Sequence, residues 1–165
     1  MRNKTISVRE IDRIDRKILQ VLQREARVPM TDLAERVGLS VTPCAERVKR
    51  LEQEGVIEGY YARLNPHQLG FKLLVFVELR LSAKSGPIFE QFRREVSKLP
   101  NVQECHLVSG DFDYLVKVRI PEMAAYRQVL GDMLLKLPAA VESRSYIVME
   151  EIKESFELDV IEAEG

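Results

Sequence analysis

Hydrophobic residues near the start of the chain recur at every third or fourth position, which is the spacing of one face of an α-helix. They run from Ile14 to Leu22 and predict a first helix, with Asp12 suited to its N-cap. A second, shorter helix is predicted over residues 31–37. Gly38 follows it and suits the left-handed position that ends a helix. Both segments are therefore expected to be amphipathic helices.

A third helix is predicted to begin at Thr42 and Pro43, which suit an N-cap and the first helical position. Gly55 ends it, and residues 56–64 then favour an extended linker strand. Two short helices joined by a glycine-containing turn, behind a supporting helix, match the helix-turn-helix pattern. We expect the third helix to be the one that enters the major groove of DNA.

Beyond residue 72 the hydrophobic period changes to two, which is the period of a β-strand. Helical spacing separates the first two predicted strands and again the last two, so the order is βαββαβ, a ferredoxin-like arrangement. The predicted fold class is α+β, with an N-terminal helix-turn-helix domain before the ferredoxin-like domain. The predicted strands are Leu73–Leu81, 102–108, 114–120 and part of 141–152.

Asn65 and Pro66 form a turn signal between the halves, so we predict one domain over 1–64 and a second over 65–165. The charge divides at the same place. Residues 1–64 hold 13 Lys and Arg against 10 Asp and Glu, whereas residues 65–165 hold 12 against 16. A mildly basic first half and an acidic second half indicate two different tasks.

One face of the third helix carries the candidate DNA contacts. On a helical projection Val41, Cys44 and Leu51 fall beside Val48 on the buried side. We expect the cations opposite to neutralise phosphates and the smaller polar residues to approach bases. An alternative is a solvated face on which these charges pair with Glu46 and Glu54, or on which Glu46 merely positions Arg50. The candidate contacts are Thr42, Pro43, Glu46, Arg47, Lys49 and Arg50.

A four-stranded sheet covered by helices on one face leaves its other face open. Leu74, Phe76, Cys105 and Leu107 are expected on or near that open face. An exposed apolar patch of this kind marks an association surface. A homodimer that buries it would present two helix-turn-helix units with the two-fold symmetry of two DNA half-sites.

Composition excludes most other classes of protein. Apolar residues make up 45% and charged residues 31% of the 165 residues, so the chain is globular. Two cysteines, two histidines and the absence of a phosphate-binding loop predict no metal, no cofactor and no enzymatic activity. The longest apolar run, Leu73–Val77, is too short to span a bilayer, so a cytoplasmic protein is expected. The alternative is a metabolite-sensing or catalytic module whose first half binds protein rather than DNA.

Two segments of the chain resemble a known family. Residues 37–48, Val-Gly-Leu-Ser-Val-Thr-Pro-Cys-Ala-Glu-Arg-Val, are similar to the recognition region of the Lrp/AsnC (feast/famine) transcription regulators. Residues 104–114, Glu-Cys-His-Leu-Val-Ser-Gly-Asp-Phe-Asp-Tyr, resemble that family's effector domain, and Val-Met-Glu-Glu at 148–151 matches a further segment. The similarity runs from about Asp12 to Lys153, and the tail after Glu154 is acidic where relatives end in basic residues.

The resemblance implies a winged-type helix-turn-helix in a DNA-binding, nucleoid-associated regulator. Such a regulator forms dimers and then octamers or other multiples, and it responds to an amino acid. Leucine is the first candidate for this effector. A zwitterion needs an acceptor, which Asp113 supplies, and donors, which N–H groups near Gly110 and Asp111 supply. The alternative is that these residues simply form a hairpin turn. The remaining effector residues implied by the family are Leu107, Met123, Tyr146, Ile147 and Val148. Of these, Leu107, Met123 and Ile147 are expected to line an apolar slot for the effector side chain.

Overall fold

The computed structural model describes residues 10–160, apart from the side chains of residues 140 and 141. The chain forms two compact units, one containing residues 10–63 together with 153–160 and the other containing 64–152. The boundary near residue 64 agrees with the turn signal in the sequence. The tail differs from the prediction, because residues 153–160 belong to the first unit and not to the second.

The first unit contains three helices: α1 (Arg13–Arg24), α2 (Met30–Val37) and α3 (Val41–Gln53). Asp12 caps α1 as predicted, with its carboxylate accepting from the backbone of Ile14 and Asp15. Gly38 ends α2 with φ of +75°, a conformation that glycine adopts without strain. The apolar faces of the three helices meet in one core around Ile18, Leu33, Cys44, Val48 and Leu51.

The start of α3 differs from the prediction by two residues. Ser40 is the N-cap and the helix begins at Val41, which places Thr42 and Pro43 inside the first turn. Proline is tolerated there because the first N–H groups of a helix have no intrahelical acceptor. Val41 was expected to be buried but is 45% exposed, since it lies at the open end of the core.

The predicted linker strand over 56–64 is wrong for this chain. Among the described residues, the segment from 54 to 72 contains no strand. A strand needs a neighbour to accept and donate its backbone hydrogen bonds, and no described segment pairs with this one. Tyr60 instead donates a hydrogen bond from its hydroxyl to Glu52 Oε1 at 2.9 Å, which holds the segment near the end of α3.

The second unit has the predicted βαββαβ order. Its sheet has the order β2-β3-β1-β4, and every adjacent pair is antiparallel. Within the described residues, no helix is long and apolar enough to cross a membrane. The elements are β1 (Leu73–Leu81), α4 (Gly86–Val96), β2 (Val102–Leu107), β3 (Tyr114–Ile120), α5 (Met123–Lys136) and β4 (Ala140–Ile147).

The helices α4 and α5 cover one face of this sheet and bury the alternate residues of β1, namely Val75, Val77, Leu79 and Leu81. Two residues predicted for the opposite face are misplaced. Cys105 pairs with Val116 and Leu107 with Tyr114, and both partners point into the helix-covered core. The open face does carry Leu74 and Phe76, which pair with Arg119 and Lys117 of β3. Phe76 also pairs with Tyr146 of β4, and Leu74 is 7% exposed.

Candidate DNA interface and effector site

The predicted DNA contacts of α3 divide into two groups by exposure. Thr42, Glu46 and Lys49 are exposed to solvent, as an interface to DNA requires. Pro43 is half-buried, and so are Arg47 and Arg50, whose side chains are only 27% and 26% exposed. Arg50 therefore lies closer to the core than its place on the helical projection indicated.

The partial burial of the two arginines has a direct cause in α1. The carboxylate of Asp15 is 1% exposed and accepts from Arg47 Nη1 at 2.8 Å and from Arg50 Nη2. Arg47 Nη1 also donates to Asp12, and the hydrogen bonds that Arg47 donates, first to Asp12 and then to Asp15, raise the pKa of its guanidinium. Arg50 Nε lies 4.0 Å from Glu54 Oε2, so its ion-pair partners are Asp15 and Glu54 and not Glu46.

This network joins the supporting helix to the recognition helix. A buried carboxylate needs a cation, and two cations of α3 supply it. Of the three cations predicted to contact DNA, Lys49 alone has no ion pair among the described residues. Asp15 was not among the residues predicted for the DNA interface. The sequence did contain a signal, because Asp15 is a charged residue on the apolar face of α1. It lies three and seven positions before Ile18 and Leu22, which share that face.

The hairpin between β2 and β3 contains the predicted effector turn. Gly110 has φ of +140°, which side chains with a Cβ rarely adopt. Asp113 is 7% exposed and its backbone closes the hairpin, with Val108 N–H donating to its carbonyl at 3.0 Å. Its side chain is also occupied, since Oδ2 accepts from Leu81 N–H at 2.9 Å and Oδ1 pairs with Lys84 Nζ at 2.7 Å. The alternative of a structural hairpin residue therefore has direct geometric support.

The surroundings of Asp113 favour its charged form. Burial by itself raises the pKa of the carboxyl, but the Leu81 N–H and the Lys84 ammonium outweigh burial and lower it below its usual value. An ammonium group from a ligand would have to replace Lys84, whose side chain is 60% exposed and able to move.

The predicted effector residues fall at the two opposite ends of the sheet. Leu107, Gly110, Asp111 and Asp113 lie at the end where β3 begins, because Leu79 and Leu107 both pair with Tyr114. Strand β3 then runs about 20 Å to the other end. There Met123 follows the end of β3, while Tyr146, Ile147 and Val148 lie at or just beyond the end of β4, which meets the start of β1.

These two groups do not form one pocket within a single chain. Met123, the first residue of α5, is 54% exposed. Tyr146 lies on the open face and is 45% exposed, whereas Ile147 packs against the helix-covered core. Within one copy of the chain, Leu107 therefore does not share an apolar slot with Met123 and Ile147.

Two grooves flank the hairpin. The larger, of about 560 Å³, lies between α4 and the edge strand β2 and contains Leu107, Cys105 and the ring of Tyr114. The Tyr114 hydroxyl is buried and has no hydrogen-bond partner among the described residues. The smaller groove, of about 160 Å³, lies on the open face, where Arg80 already bonds to the Asp111 carbonyl and pairs with Glu142 at 3.5 Å.

The site contains no group of three His, Cys, Asp or Glu side chains arranged for a metal within the described part of the chain. Burial raises the pKa of the Cys105 thiol to about 11, so this thiol is held in its unreactive protonated form.

Comparison with known proteins covers both units. Residues 11–58 match a winged helix-turn-helix DNA-binding family model, and residues 74–158 match the Lrp/AsnC ligand binding domain. The leucine-responsive regulatory protein of Escherichia coli strain K12 is 56% identical over 147 residues, which is 89% of this chain and 90% of that protein.

Solved structures agree with the sequence matches. An AsnC family transcriptional regulator from Agrobacterium tumefaciens superposes with a TM-score of 0.85 at 40% identity, covering 89% of this chain and 95% of that one. A transcriptional regulator from Neisseria meningitidis in complex with L-methionine gives 0.84 at 35% identity over 90% and 96%. These likenesses extend across both units and confirm the predicted fold class. The chain thus belongs to the Lrp/AsnC family and is a DNA-binding transcription regulator and not an enzyme.

Proposed function

We propose that this regulator binds a small apolar amino acid, with leucine the first candidate and methionine the second, and that the bound amino acid changes its assembly and DNA binding. The observation that carries the proposal is the 56% identity over nearly the whole chain to a leucine-responsive regulatory protein. The structure in complex with L-methionine supports the same ligand class. A ligand that prefers one assembly state shifts DNA binding by its difference in affinity between states.

The groove between α4 and β2 is the proposed place for the effector. Leu107 supplies apolar surface there. The Tyr114 hydroxyl is buried and unpaired among the described residues, and it would donate to a carboxylate once binding exposes it. In the smaller groove Arg80 is already paired with Glu142 and bonded to the Asp111 carbonyl, which makes this groove the weaker candidate. The hairpin residues Gly110, Asp111 and Asp113 then hold the end of the groove in shape.

The second group of effector residues, Met123, Tyr146, Ile147 and Val148, is proposed to reach the effector only from another copy of the chain. Their position further along the strands, about 10 Å from the hairpin end for Tyr146 and about 20 Å for Met123, supports this arrangement. The open sheet face, with Leu74, Phe76 and Tyr146 among charged pairs, is the proposed dimer contact. Dimers then assemble into a higher oligomer such as an octamer, so that one DNA meets several helix-turn-helix units in the cytoplasmic nucleoid.

For DNA, the proposed base contacts are Thr42, Pro43 and Glu46, and Lys49 is the proposed principal phosphate contact. Arg47 and Arg50 contribute positive potential while remaining bonded to Asp15. This division follows from exposure, since a side chain must leave its present partners before it can bind a new one.

The proposal is tested by thermal unfolding and sedimentation of the purified protein with each of the twenty amino acids. Leucine or methionine is expected to raise the melting temperature and shift the sedimentation coefficient, because a ligand that binds only the folded state stabilises it. Tyr114→Phe, which removes only the hydroxyl, is expected to weaken that response, whereas Tyr126→Phe, a partly buried tyrosine on α5, is the matched control. No response to any amino acid would contradict the proposed sensor.

Mixing two variants tests whether one site uses two copies. Leu107→Asp and Tyr146→Ala are each expected to lose the effector response alone. Co-refolded oligomers would regain part of it, because some sites then combine an intact hairpin end with an intact far end. Failure of the mixture to recover any response would place the two groups in separate roles.

A further inference from the structure

The residues that follow the second unit lie along α1 of the first. We call residues 153–160 the acidic tail, since they carry Glu154, Glu157 and Asp159 against the single cation Lys153. Val160 lies beside Arg16 near the start of α1, while Leu158 and Glu157 lie beside Gln23 and Arg24 at its end. The acidic tail therefore runs antiparallel to the helix.

The contact has the geometry of specific docking. Gln23 donates from Nε2 to the Leu158 carbonyl at 3.0 Å and accepts from the Leu158 N–H at 2.6 Å. One side-chain amide thus satisfies both backbone groups of an extended residue, as a neighbouring strand does. Arg16 Nη1 adds a bond to the Val160 carbonyl at 2.9 Å.

The charged contacts of the acidic tail involve cations of the DNA-binding unit. Arg24 Nε pairs with Glu157 at 3.0 Å, and Arg63 Nη2 pairs with Glu154 at 3.4 Å. Residues 1–63 carry 13 basic and 10 acidic side chains, a net charge of +3, and residues 153–160 carry one and three, a net charge of −2. Docking therefore removes two of the three net positive charges of this unit.

We propose that the acidic tail is a built-in competitor of DNA, docked on α1 and lowering the affinity of its own helix-turn-helix unit for the phosphate backbone. Affinity for DNA depends on the number of cations available to replace counterions on the phosphates. The docked tail occupies Arg24 and Arg63 and adds carboxylates near the same unit, so it both removes cations and repels DNA. DNA binding is then tighter when the acidic tail leaves α1.

The charge part of the proposal is tested in the full chain with Glu154→Gln, Glu157→Gln and Asp159→Asn combined. This triple variant is expected to bind duplex DNA about tenfold more tightly at roughly 0.1 M salt, with the advantage disappearing near 0.5 M. The matched control is Glu90→Gln, Glu95→Gln and Asp132→Asn, which changes the total charge equally on the helices of the second unit. Equal affinity of the two triple variants would overturn the proposal.

The docking part is tested without changing charge. Gln23→Ala removes the amide that holds Leu158, so a glutamate-specific protease is expected to cut after Glu154 and Glu157 severalfold faster, and DNA binding is expected to tighten. Gln91→Ala, an exposed glutamine on α4, is the control. Unchanged cleavage would contradict docking through Gln23, and faster cleavage with unchanged DNA affinity would contradict competition.

Discussion

The carboxylate of Asp15 in α1 is buried against the guanidinium of Arg50 in α3, so an ion pair reinforces the apolar core between the supporting and recognition helices. The same carboxylate also holds Arg47. Orientation of the recognition helix thus depends on a charge that solvent does not reach.

Replacement of this buried charge is expected to destabilise the first unit. Asp15→Asn keeps the shape of the side chain but leaves two half-buried guanidinium groups without their shared counter-charge. The free energy of unfolding is expected to fall by about 3 kcal/mol, measured by urea denaturation. Asp32→Asn, an exposed carboxylate in the first turn of α2, should change it by less than about 0.5 kcal/mol. Equal changes in the free energy of unfolding for the two substitutions would show that the Asp15 network contributes no more stability than an exposed carboxylate.

The cations of α3 are expected to separate into a DNA contact and a structural contact. Lys49→Ala should weaken DNA binding and reduce the slope of log K against log salt by about one, because one phosphate contact is lost, while stability is unchanged. Arg50→Ala should lower the free energy of unfolding, since Asp15 loses a partner. Lys72→Ala, an exposed lysine of the second unit, controls for total charge. A stability loss for Lys49→Ala equal to that for Arg50→Ala would refute this division.

Asp113 is expected to make stability depend on acid pH. Its pKa in the folded state is lowered from the ordinary value of 3.8, so its stabilising effect is complete above that value and is lost as the pH falls through the folded pKa. Asp113→Asn keeps an acceptor for Leu81 but loses the charge that faces Lys84. The variant should be less stable by about 1–2 kcal/mol at pH 7, and the difference should shrink in urea titrations towards pH 2.5. A stability difference between the two proteins that stays constant with pH would show that it does not come from the charge of Asp113.

A second acid-sensitive contact secures the segment after β4. Glu151 accepts from Arg119 Nη1 at 2.9 Å and Nη2 at 2.6 Å, and these bonds, against a smaller opposing effect of burial, lower the pKa of the Glu151 carboxyl. Glu151→Gln is expected to cost about 2 kcal/mol at neutral pH and progressively less in acid. The exposed neighbour Glu150 provides the control, as Glu150→Gln. In an Arg119→Met background the effect of Glu151→Gln should largely vanish, and its persistence would assign the cost to other contacts.

Much of the fold could be predicted from the sequence because the spacing of its hydrophobic residues clearly separates helices from strands. The alternation from Leu73 to Leu81 gave β1 with its observed bounds, and Gly38 marked the end of α2. The misplacement of Cys105 and Leu107 has a single cause. The pairing shifts between Val102 and Glu104, so Gln103 is an extra residue and every later side chain of β2 changes face. Alternation counted from Val102 cannot reveal a bulge.

The candidate sites were less predictable, because they depend on contacts between distant segments. Nothing in α3 alone indicated that Arg50 bonds to Asp15, 35 residues earlier. The separation of the effector residues was a different kind of error. Asp113 precedes β3 and Met123 follows it, so the predicted strand order already placed them at opposite ends of the sheet.

The docking of the acidic tail also gives the protein an order of events during synthesis. The core of α1, α2 and α3 needs nothing beyond residue 57, whereas Leu158 is made 135 residues after its partner Gln23. Because domains fold as units from the N-terminus during translation, the DNA-binding unit forms on the ribosome with α1 uncovered. A nascent or prematurely terminated chain would therefore carry an unrestrained DNA-binding unit, and completing translation is the step that supplies the restraint.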